Sequence, residues 1–320
     1  MAIYVSGSLA FDRIMTFPGN FQDHILMDKL HMINVSFMVD CMDERRGGCA
    51  GNIAYSLALL GEKSVIVAAA GRDFEPYAAA LAAKGLPLEG IRRDAEVFTA
   101  LCYITTDLNS NQITGFYPGA MSLAADYAFP SVDADRDMAI ISPGNVDDMR
   151  RLPAFYREKG VPYIFDPGQQ LPVLGKDDLL SAIEGSFACV TNDYELNMIC
   201  KATGKSEDEL LGRTLWLVTT LGADGALVRG ADGTEVRIPA VPPREVVAPP
   251  GAGDAHRAGM IKGLVHGLPL PEAARLGSVS ASFALEKLGT QEHEYDMHQF
   301  RQRYEDALGP LPACLSGGKK

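Results

Sequence analysis

Short apolar runs rich in β-branched residues recur along the chain, and stretches with helical spacing lie between them. The runs are IYVSG, SVIVAAAG, MAIISPG, PYIFDPG, FACVTND and LWLVTTLG. Runs that are short and apolar throughout are typical of strands buried on both faces of a parallel sheet. The pattern therefore predicts an α/β fold with a mainly parallel central sheet and helices on both of its faces.

Helices are expected between these strands, and several of them start with Asp or Asn and end near Gly. They cover residues 52–60, 75–84, 147–159, 193–202 and 254–266. Several strand runs end in Gly, Asp or Asn. An open α/β sheet binds its ligands beyond the carboxyl ends of its strands, so we expect the functional site there.

Two segments, residues 14–46 and 99–117, interrupt this alternation of strands and helices. The first contains the alternating INVSFMVD, and the second contains LCYITTD and QITGFYP around the turn at 108–111. Alternation predicts antiparallel strands outside the main sheet, and hence a small β lid. Edge strands of the main sheet are the alternative. The predicted division is a large domain of residues 1–13, 47–98 and 118–320, with a lid of residues 14–46 and 99–117.

The charge of the chain limits its partners. Lys and Arg number 29 against 41 Asp and Glu, which gives a net charge of -12. This charge repels polyanions, so we expect neither nucleic acid nor an anionic membrane surface as a partner. An anionic ligand would need donors concentrated at its own site.

The six cysteines are scattered without a CxxC pair, which argues against a zinc site or a disulfide framework. The first residues do not resemble a secretory signal, and no apolar run reaches the roughly 20 residues of a membrane span. We therefore expect a cytoplasmic protein.

The strongest candidate for chemistry is the stretch PPGAGDA at residues 249–255, which opens a helix. The small residues Gly251, Ala252 and Gly253 let a ligand approach the backbone, and the N–H groups of a first helical turn attract anions. Asp254 in the same turn has the chemistry to accept a proton from an attacking hydroxyl. The four residues GAGD alone also fit a closely packed helix start that binds no ligand.

Two further positions carry weaker signals. Asn52 follows the glycine cluster RGGCAGN at residues 46–52, where it would either cap a helix or bind a ligand hydroxyl. Asp12 follows the first strand, where it would either form a turn or hold sugar hydroxyls.

Five motifs in a fixed order connect these positions. They are an early strand with Gly and Asp, a GG…N helix start, the run NDYE at 192–195, the run TLGADG at 220–225, and the late GAGD helix. Together they resemble the ribokinase-like (PfkB) family of carbohydrate and nucleoside kinases over residues 3–292, nearly the whole chain. The resemblance implies a kinase that uses ATP and Mg²⁺, with Asp254 as base and residues 251–253 as anion hole.

The same resemblance implies a nucleotide site on the other side of the phosphates. Asn192 would lie by the ATP phosphates, and Glu195 would lie near Mg²⁺, through water, because Mg²⁺ retains much of its hydration shell. Thr220, Gly222 and Gly225 would line the nucleotide. Without Asn192 at the same helix start, Glu195 would be interpreted as a solvated helix residue.

Within the family, stretches such as GSLAFDRIMTFPG, RGGCAGN, TGFYPGAMS and GTQE resemble the bacterial adenosine kinases. This likeness implies phosphoryl transfer to the 5′-hydroxyl of adenosine. Asp12 and Asn52 would then bind the ribose hydroxyls, and Phe116 would stack on the base. The residues implied around the nucleoside are Ser8, Asp12, Ser36, Gly48, Asn52, Phe116, Gln169 and Gln170.

The chain departs from the family pattern at four positions. Ala248 and Pro250 replace the usual Asp and Thr before GAGD, so we expect no potassium site. His256 stands where Phe is common, and Cys102 stands where adenosine kinases often have a second aromatic residue. Weaker stacking on the base or a shifted substrate preference would follow.

Several other functions are alternatives to this one. A nicotinamide dehydrogenase is disfavoured because no GxGxxG follows the first strand, and the GKS at 204–206 lacks the preceding Gly of a P-loop, since residue 199 is Ile. A sugar kinase for ribose or fructose and a non-catalytic nucleoside-binding member stay open. A homodimer through the lid strands is also expected by resemblance.

Overall fold

The computed structural model describes residues 1–25 and 35–316. Its strands are β1 (Ile3–Ser6), β2 (Ala10–Thr16), β3 (Cys41–Gly47), β4 (Val65–Ala70), β5 (Ile91–Arg93), β6 (Ala100–Thr106), β7 (Gln112–Tyr117), β8 (Met138–Ile141), β9 (Tyr163–Phe165), β10 (Ala188–Asn192), β11 (Trp216–Thr220), β12 (Ala226–Gly230) and β13 (Glu235–Ile238). Its helices are α1 (Cys49–Leu59), α2 (Glu75–Ala83), α3 (Val146–Lys159), α4 (Lys176–Ile183), α5 (Asp193–Thr203), α6 (Glu207–Leu211), α7 (Ala252–Val265), α8 (Leu270–Ala284), α9 (Met297–Leu308) and α10 (Ala313–Ser316).

In the described residues the main sheet has nine strands in the order β13-β12-β11-β10-β9-β8-β1-β4-β5. The strands from β11 to β5 pair in parallel, whereas β12 and β13 add an antiparallel edge. Each apolar run singled out in the sequence forms one of the parallel strands. The predicted α/β fold is confirmed.

The core explains why these strands are apolar throughout. Val5 and Ile140 belong to the cluster under α1, α2, α7 and α8, whereas their chain neighbours Tyr4 and Ile141 belong to the cluster under α3, α4 and α5. Successive side chains of a strand point to opposite faces, so a sheet covered by helices on both sides needs apolar residues at every position.

The small sheet has the order β3-β2-β6-β7 within the described chain. The β2–β3 and β6–β7 pairs are antiparallel as predicted, but β2 and β6 are parallel. The sheet begins at Ala10, ahead of the lid boundary predicted at residue 14. The division into domains and the homodimer through the lid stay predictions.

The strand expected at INVSFMVD is wrong for residues 35–40, which form no strand; residues 33 and 34 lie outside the described residues. The ring of Phe37 instead packs against Phe17 and Phe21, with ring centroids 4.8 and 5.0 Å apart. The half-buried ring of Phe37 is therefore covered by an aromatic cluster and not by a neighbouring strand, whereas Met38 is exposed.

Helix α7 is held closely against α8. A Cβ atom on Gly259 would lie 2.5 Å from the carbonyl oxygen of Leu276, and one on Gly263 would lie 2.7 Å from the Cα of Ala273. These glycines therefore allow the two helix backbones to touch along the second half of α7. No helix of the described chain combines the length and apolar character that crossing a membrane requires.

Candidate active site

The start of α7 has no side-chain cap. Its N-cap residue, Gly251, has φ +85°, a left-handed conformation that favours glycine, and the helix begins at Ala252 and not at Asp254 as predicted. A Cβ on Gly251 would approach the side chain of Thr290 to 3.0 Å. The N–H of Ala252 donates to the carbonyl oxygen of Pro249 at 3.3 Å. Because no side chain caps this turn, the N–H groups of Gly253 and Asp254 stay available to an anionic ligand.

Asp254, the third residue of α7, turns away from its own helix start. Its Oδ2 atom accepts a hydrogen bond of 2.8 Å from Nδ2 of Asn52. Burial raises the pKa of Asp254 to about 6; Asn52 and Arg257 oppose this shift, and the charges of Asp166 and Glu195 add to it. A carboxylate with a pKa slightly below neutral is suited to take up a proton during a reaction.

Asn52 is buried in α1 and does not cap the helix. The N-cap is Gly48, with φ +88°, so the capping alternative for Asn52 is wrong. The Oδ1 atom of Asn52 accepts hydrogen bonds from Oγ1 of Thr290 at 2.8 Å and from Nε2 of Gln291 at 3.0 Å. Neither Thr290 nor Gln291 was predicted as a site residue, although both lie in the GTQE stretch noted in the sequence.

A buried ion pair lies beneath the turn. Nη2 of Arg257 donates to Oδ1 of Asp166 at 2.8 Å, and its Nε contacts the other carboxylate oxygen. Although burial opposes the shift, Asp166 raises the pKa of Arg257, which stays charged. A Cβ on Gly253 would lie 2.9 Å from Nη1 of Arg257, so the guanidinium adds positive charge directly below the turn. Sequence reasoning missed this pair, because its members lie far apart in the chain.

Three of the residues predicted around the nucleoside, Ser8, Asp12 and Gly48, lie where the two sheets meet. Ser8 is buried, and its Oγ accepts a hydrogen bond of 3.0 Å from the N–H of Cys49. Gly48 allows the backbone to pass Ser8, because a Cβ there would lie 2.6 Å from the Ser8 carbonyl oxygen. Asp12 lies in strand β2 and not in a turn, and burial raises its pKa. Its Oδ2 would be 2.7 Å from a Cβ on Gly47.

Other predicted substrate residues are more exposed than Ser8 and Asn52. The ring of Phe116 is half-exposed on β7 opposite Cys102, and Ser36 and Gln169 are exposed. In the part of the chain that the structure describes, no hydrogen bond, ion pair or ring contact joins these three to Asn52 or Asp254. Gln170 donates from Nε2 to the carbonyl oxygen of Gly144 at 2.6 Å. The binding roles of these residues stay predictions.

The predicted nucleotide residues surround the start of α5. Asn192 caps the helix by accepting the N–H of Glu195 at 2.7 Å, and Oε2 of Glu195 accepts the N–H of Asn192 at 2.8 Å. Thr220 is paired with Asn192 across β10 and β11. Gly222 has φ +59°, and a Cβ on Gly225 would lie 2.0 Å from the Ile238 carbonyl oxygen. Gly225 therefore has a packing role, and the ligand roles stay predictions.

The residues fit a magnesium ion only in its hydrated form. Among residues 1–25 and 35–316, no three His, Cys, Asp or Glu side chains are grouped as metal ligands. Mg²⁺ is commonly held by phosphate oxygens, waters and one or two carboxylates. The capping interaction uses Oε2 of Glu195, and a water-mediated contact through its second oxygen fits this chemistry.

His256, which replaces the common Phe after GAGDA, is a packing residue. It is buried against α8, where a Cβ on Gly277 would lie 2.8 Å from its Cδ2 atom. Burial and the charge of Arg257 lower the pKa of His256 to about 4. The ring is therefore neutral and fills the space of an aromatic side chain.

Residues 20–296 match the family model described as pfkB family carbohydrate kinase. The chain belongs to this family. The nucleoside kinase of Methanothermobacter thermautotrophicus is 30% identical over 296 residues, which cover 91% of this chain and 94% of the relative. The structure of Burkholderia thailandensis nucleoside kinase in complex with inosine has a TM-score of 0.85 at 39% identity and covers 96% of this chain and 98% of that chain.

An archaeal structure has a similar fold. Methanocaldococcus jannaschii nucleoside kinase has a TM-score of 0.84 at 26% identity and covers 96% of this chain and 99% of that chain. The family resemblance noted in the motifs is confirmed. This PfkB-family protein is an ATP-dependent phosphotransferase that acts on a hydroxyl group, so the dehydrogenase alternative is wrong.

Proposed function

We propose that this kinase transfers the γ-phosphoryl group of ATP to the 5′-hydroxyl of a nucleoside, with adenosine as its preferred acceptor, giving AMP and ADP. The observation that carries the proposal is the pairing of Asp254 with Asn52 beside the uncapped first turn of α7. This turn joins an anion-binding backbone to a carboxylate that accepts protons, as phosphoryl transfer to an alcohol requires.

Asp254 then acts as the base. With a pKa of about 6, it is mostly ionised at pH 7.5 and takes the proton from the attacking 5′-hydroxyl. The free N–H groups of the turn at residues 251–254 and the charge of Arg257 stabilise the phosphoryl group as it moves. Glu195 would hold a hydrated Mg²⁺ ion through water, and the ion would supply positive charge to the phosphates. The small sheet excludes water from the acceptor.

The nucleoside, and not a free sugar, is supported by two features. Asp12 and Asn52 offer polar groups for ribose hydroxyls, and the half-exposed ring of Phe116 on the small sheet offers a surface for a base. The relatives from Methanothermobacter thermautotrophicus and Burkholderia thailandensis are named nucleoside kinases. Because the Burkholderia thailandensis enzyme was solved with inosine, and Cys102 reduces the aromatic surface here, inosine is the second candidate acceptor.

A panel of acceptors with Mg-ATP tests the proposal. Adenosine, inosine, guanosine, cytidine, ribose and fructose are compared by kcat/KM, and we expect adenosine to exceed free ribose by at least about 100-fold, because the base contributes binding energy to the transition state. Equal values for ribose and adenosine would reject the nucleoside. A higher value for inosine would retain the nucleoside class and replace adenosine. Absence of ADP formation with every acceptor of the panel would reject both the nucleoside and the sugar acceptors tested.

A further inference from the structure

A chain of buried hydrogen bonds leads from a backbone carbonyl to Asp254. The hydroxyl of Tyr77 donates to the carbonyl oxygen of Gly47 at 2.9 Å, and Nε2 of Gln291 donates to the oxygen of Tyr77. The same Nε2 atom donates to Oδ1 of Asn52 at 3.0 Å, and Nδ2 of Asn52 donates to Asp254 at 2.8 Å. These bonds thus connect β3, α2, the loop at Gln291 and α1 to one carboxylate of α7.

The carbonyl of Gly47 sets the direction of every bond in this chain. A carbonyl oxygen only accepts, so the single hydrogen of the Tyr77 hydroxyl is committed to it, and the Tyr77 oxygen must accept from the amide nitrogen of Gln291. The second hydrogen of that nitrogen then binds Oδ1 of Asn52. The Asn52 side chain is left with its nitrogen facing Asp254. The opposite orientation would place two acceptors against each other at Asp254 and two donors against each other at Gln291.

Two neighbours make this arrangement specific. Oγ1 of Thr290 lies 2.8 Å from Oδ1 of Asn52 and 3.2 Å from the Arg46 carbonyl oxygen, and its one hydrogen serves the nearer acceptor better. A Cβ on Gly51 would lie 2.0 Å from the Tyr77 oxygen and 3.1 Å from Nε2 of Gln291. Tyr77 is 0% and Gln291 3% exposed, so water does not compete for these bonds.

We infer that Thr290 and Gln291 are positioning residues for the phosphoryl transfer, because they hold the amide of Asn52 with its nitrogen toward Asp254 and thereby keep that carboxylate a proton acceptor. This inference rests on the proposed function in taking Asp254 as the base. Without that assumption, the geometry still implies that the hydrogen bond to the Asp254 carboxylate depends on Thr290 and Gln291, which bind Oδ1 of Asn52.

The surroundings of Asp254 make the hydrogen bond from Nδ2 of Asn52 important. Arg257 on the same helix favours its charged form, whereas burial and the charges of Asp166 and Glu195 disfavour it. Cys49 on α1 and Tyr77 on α2 also face it and stay neutral, because burial raises the pKa of each. Without donors to its Oδ1, Asn52 is free to turn and present an oxygen to Asp254, which favours the protonated carboxyl and raises its pKa further.

The test uses Thr290→Val and Gln291→Leu in the full chain. The titration of Asp254 is followed by carbon-13 NMR of labelled carboxyl groups, with its signal assigned from Asp254→Asn, and kcat/KM for adenosine is measured against pH. In both variants we expect the pKa of Asp254 to rise by about 0.5 to 1 unit. The acidic limb of the kcat/KM profile should move by the same amount, and Thr290→Ser should restore both values.

Thr214→Val is the matched control. Its buried hydroxyl donates to the carbonyl oxygen of Ser186 at 3.1 Å, before β11 and thus at the sheet end opposite the site, so this variant should lose stability without moving the titration. An unchanged titration of Asp254 in Thr290→Val and Gln291→Leu would overturn the inference. If Gln291→Leu does not fold, Thr290→Val alone decides. The NMR titration needs no substrate, so this failure is distinct from a wild type that phosphorylates no nucleoside.

Discussion

The third residue of α5, Glu195, and the third residue of α7, Asp254, are both acidic. The two helices use this residue in opposite ways. In α5, Oε2 of Glu195 reaches back to the N–H of Asn192, and Asn192 accepts the N–H of Glu195 in return. In α7, the cap is Gly251, which has no side chain, and Asp254 turns to Asn52 instead. One helix start is closed by its own side chains, and the other is open.

The difference shows what decides the use of an acidic residue at a helix start. A side chain at the N-cap accepts a backbone N–H of the first turn, and the N-cap N–H in turn binds the acidic side chain of the third residue. A glycine there leaves the backbone N–H groups to a ligand, and a donor from another element, here Asn52, redirects the carboxylate. We therefore expect the chemistry at the open start, with the closed start as a rigid support beside it.

Replacing Asp254 by Asn tests the open start most severely. The amide retains an oxygen for the hydrogen bond from Asn52 but cannot take up the proton of the acceptor hydroxyl. We expect kcat to fall by about 100-fold or more, with the dissociation constant of the nucleoside nearly unchanged. Steady-state rates and calorimetric binding measure the two quantities, and undiminished turnover would refute the role of Asp254 as base.

Stability provides a separate check on the same variant. The pKa of Asp254 in the folded chain, about 6, lies above that of an unfolded Asp, so the protonated form stabilises the fold below about pH 4, and this contribution is lost as the pH rises through about 6. Asp254→Asn, which is neutral at all pH values, should raise Tm at pH 7.5, corresponding to at most about 3 kcal/mol. The gain should shrink toward pH 4.

The sequence predicted this site unevenly, and the reasons are physical. The parallel strands and the GAGD turn were predictable, because apolar runs and small residues are local signals. The partnership of Asp254 with Asn52 and the pairing of Arg257 with Asp166 were not, because they join residues far apart in the chain. Alternation at residues 33–40 was misleading, because it cannot distinguish a strand from a loop whose Phe37 packs against other rings.

Gly251→Ala should partly close the open start. An alanine is strained at φ +85°, and its Cβ would press on Thr290 at 3.0 Å, so the N–H groups of the first turn should shift. We expect about a tenfold loss of kcat, with a stability loss of about 1 to 2 kcal/mol. Gly204→Ala is the matched control, because Gly204 ends α5 at φ +70° with nothing within 4 Å of an added Cβ. It should lose stability alone; an equal loss of kcat in both variants would contradict the anion site.

Glu195→Gln gives the smallest expected effect, because Gln preserves the reciprocal cap with Asn192 and removes only the charge. If the second carboxylate oxygen holds hydrated Mg²⁺, the Mg²⁺ concentration for half-maximal rate should rise by about two- to fivefold while Tm stays the same. Glu209→Gln is the matched control, since Glu209 forms the same reciprocal cap with Ser206 on α6. Because Glu209 belongs to no part of the proposed site, its variant should retain the wild-type Mg²⁺ dependence. An unchanged Mg²⁺ dependence in Glu195→Gln would show that Glu195 only caps α5. The start of α7 would then be the one of the two helix starts that has a role toward the phosphates.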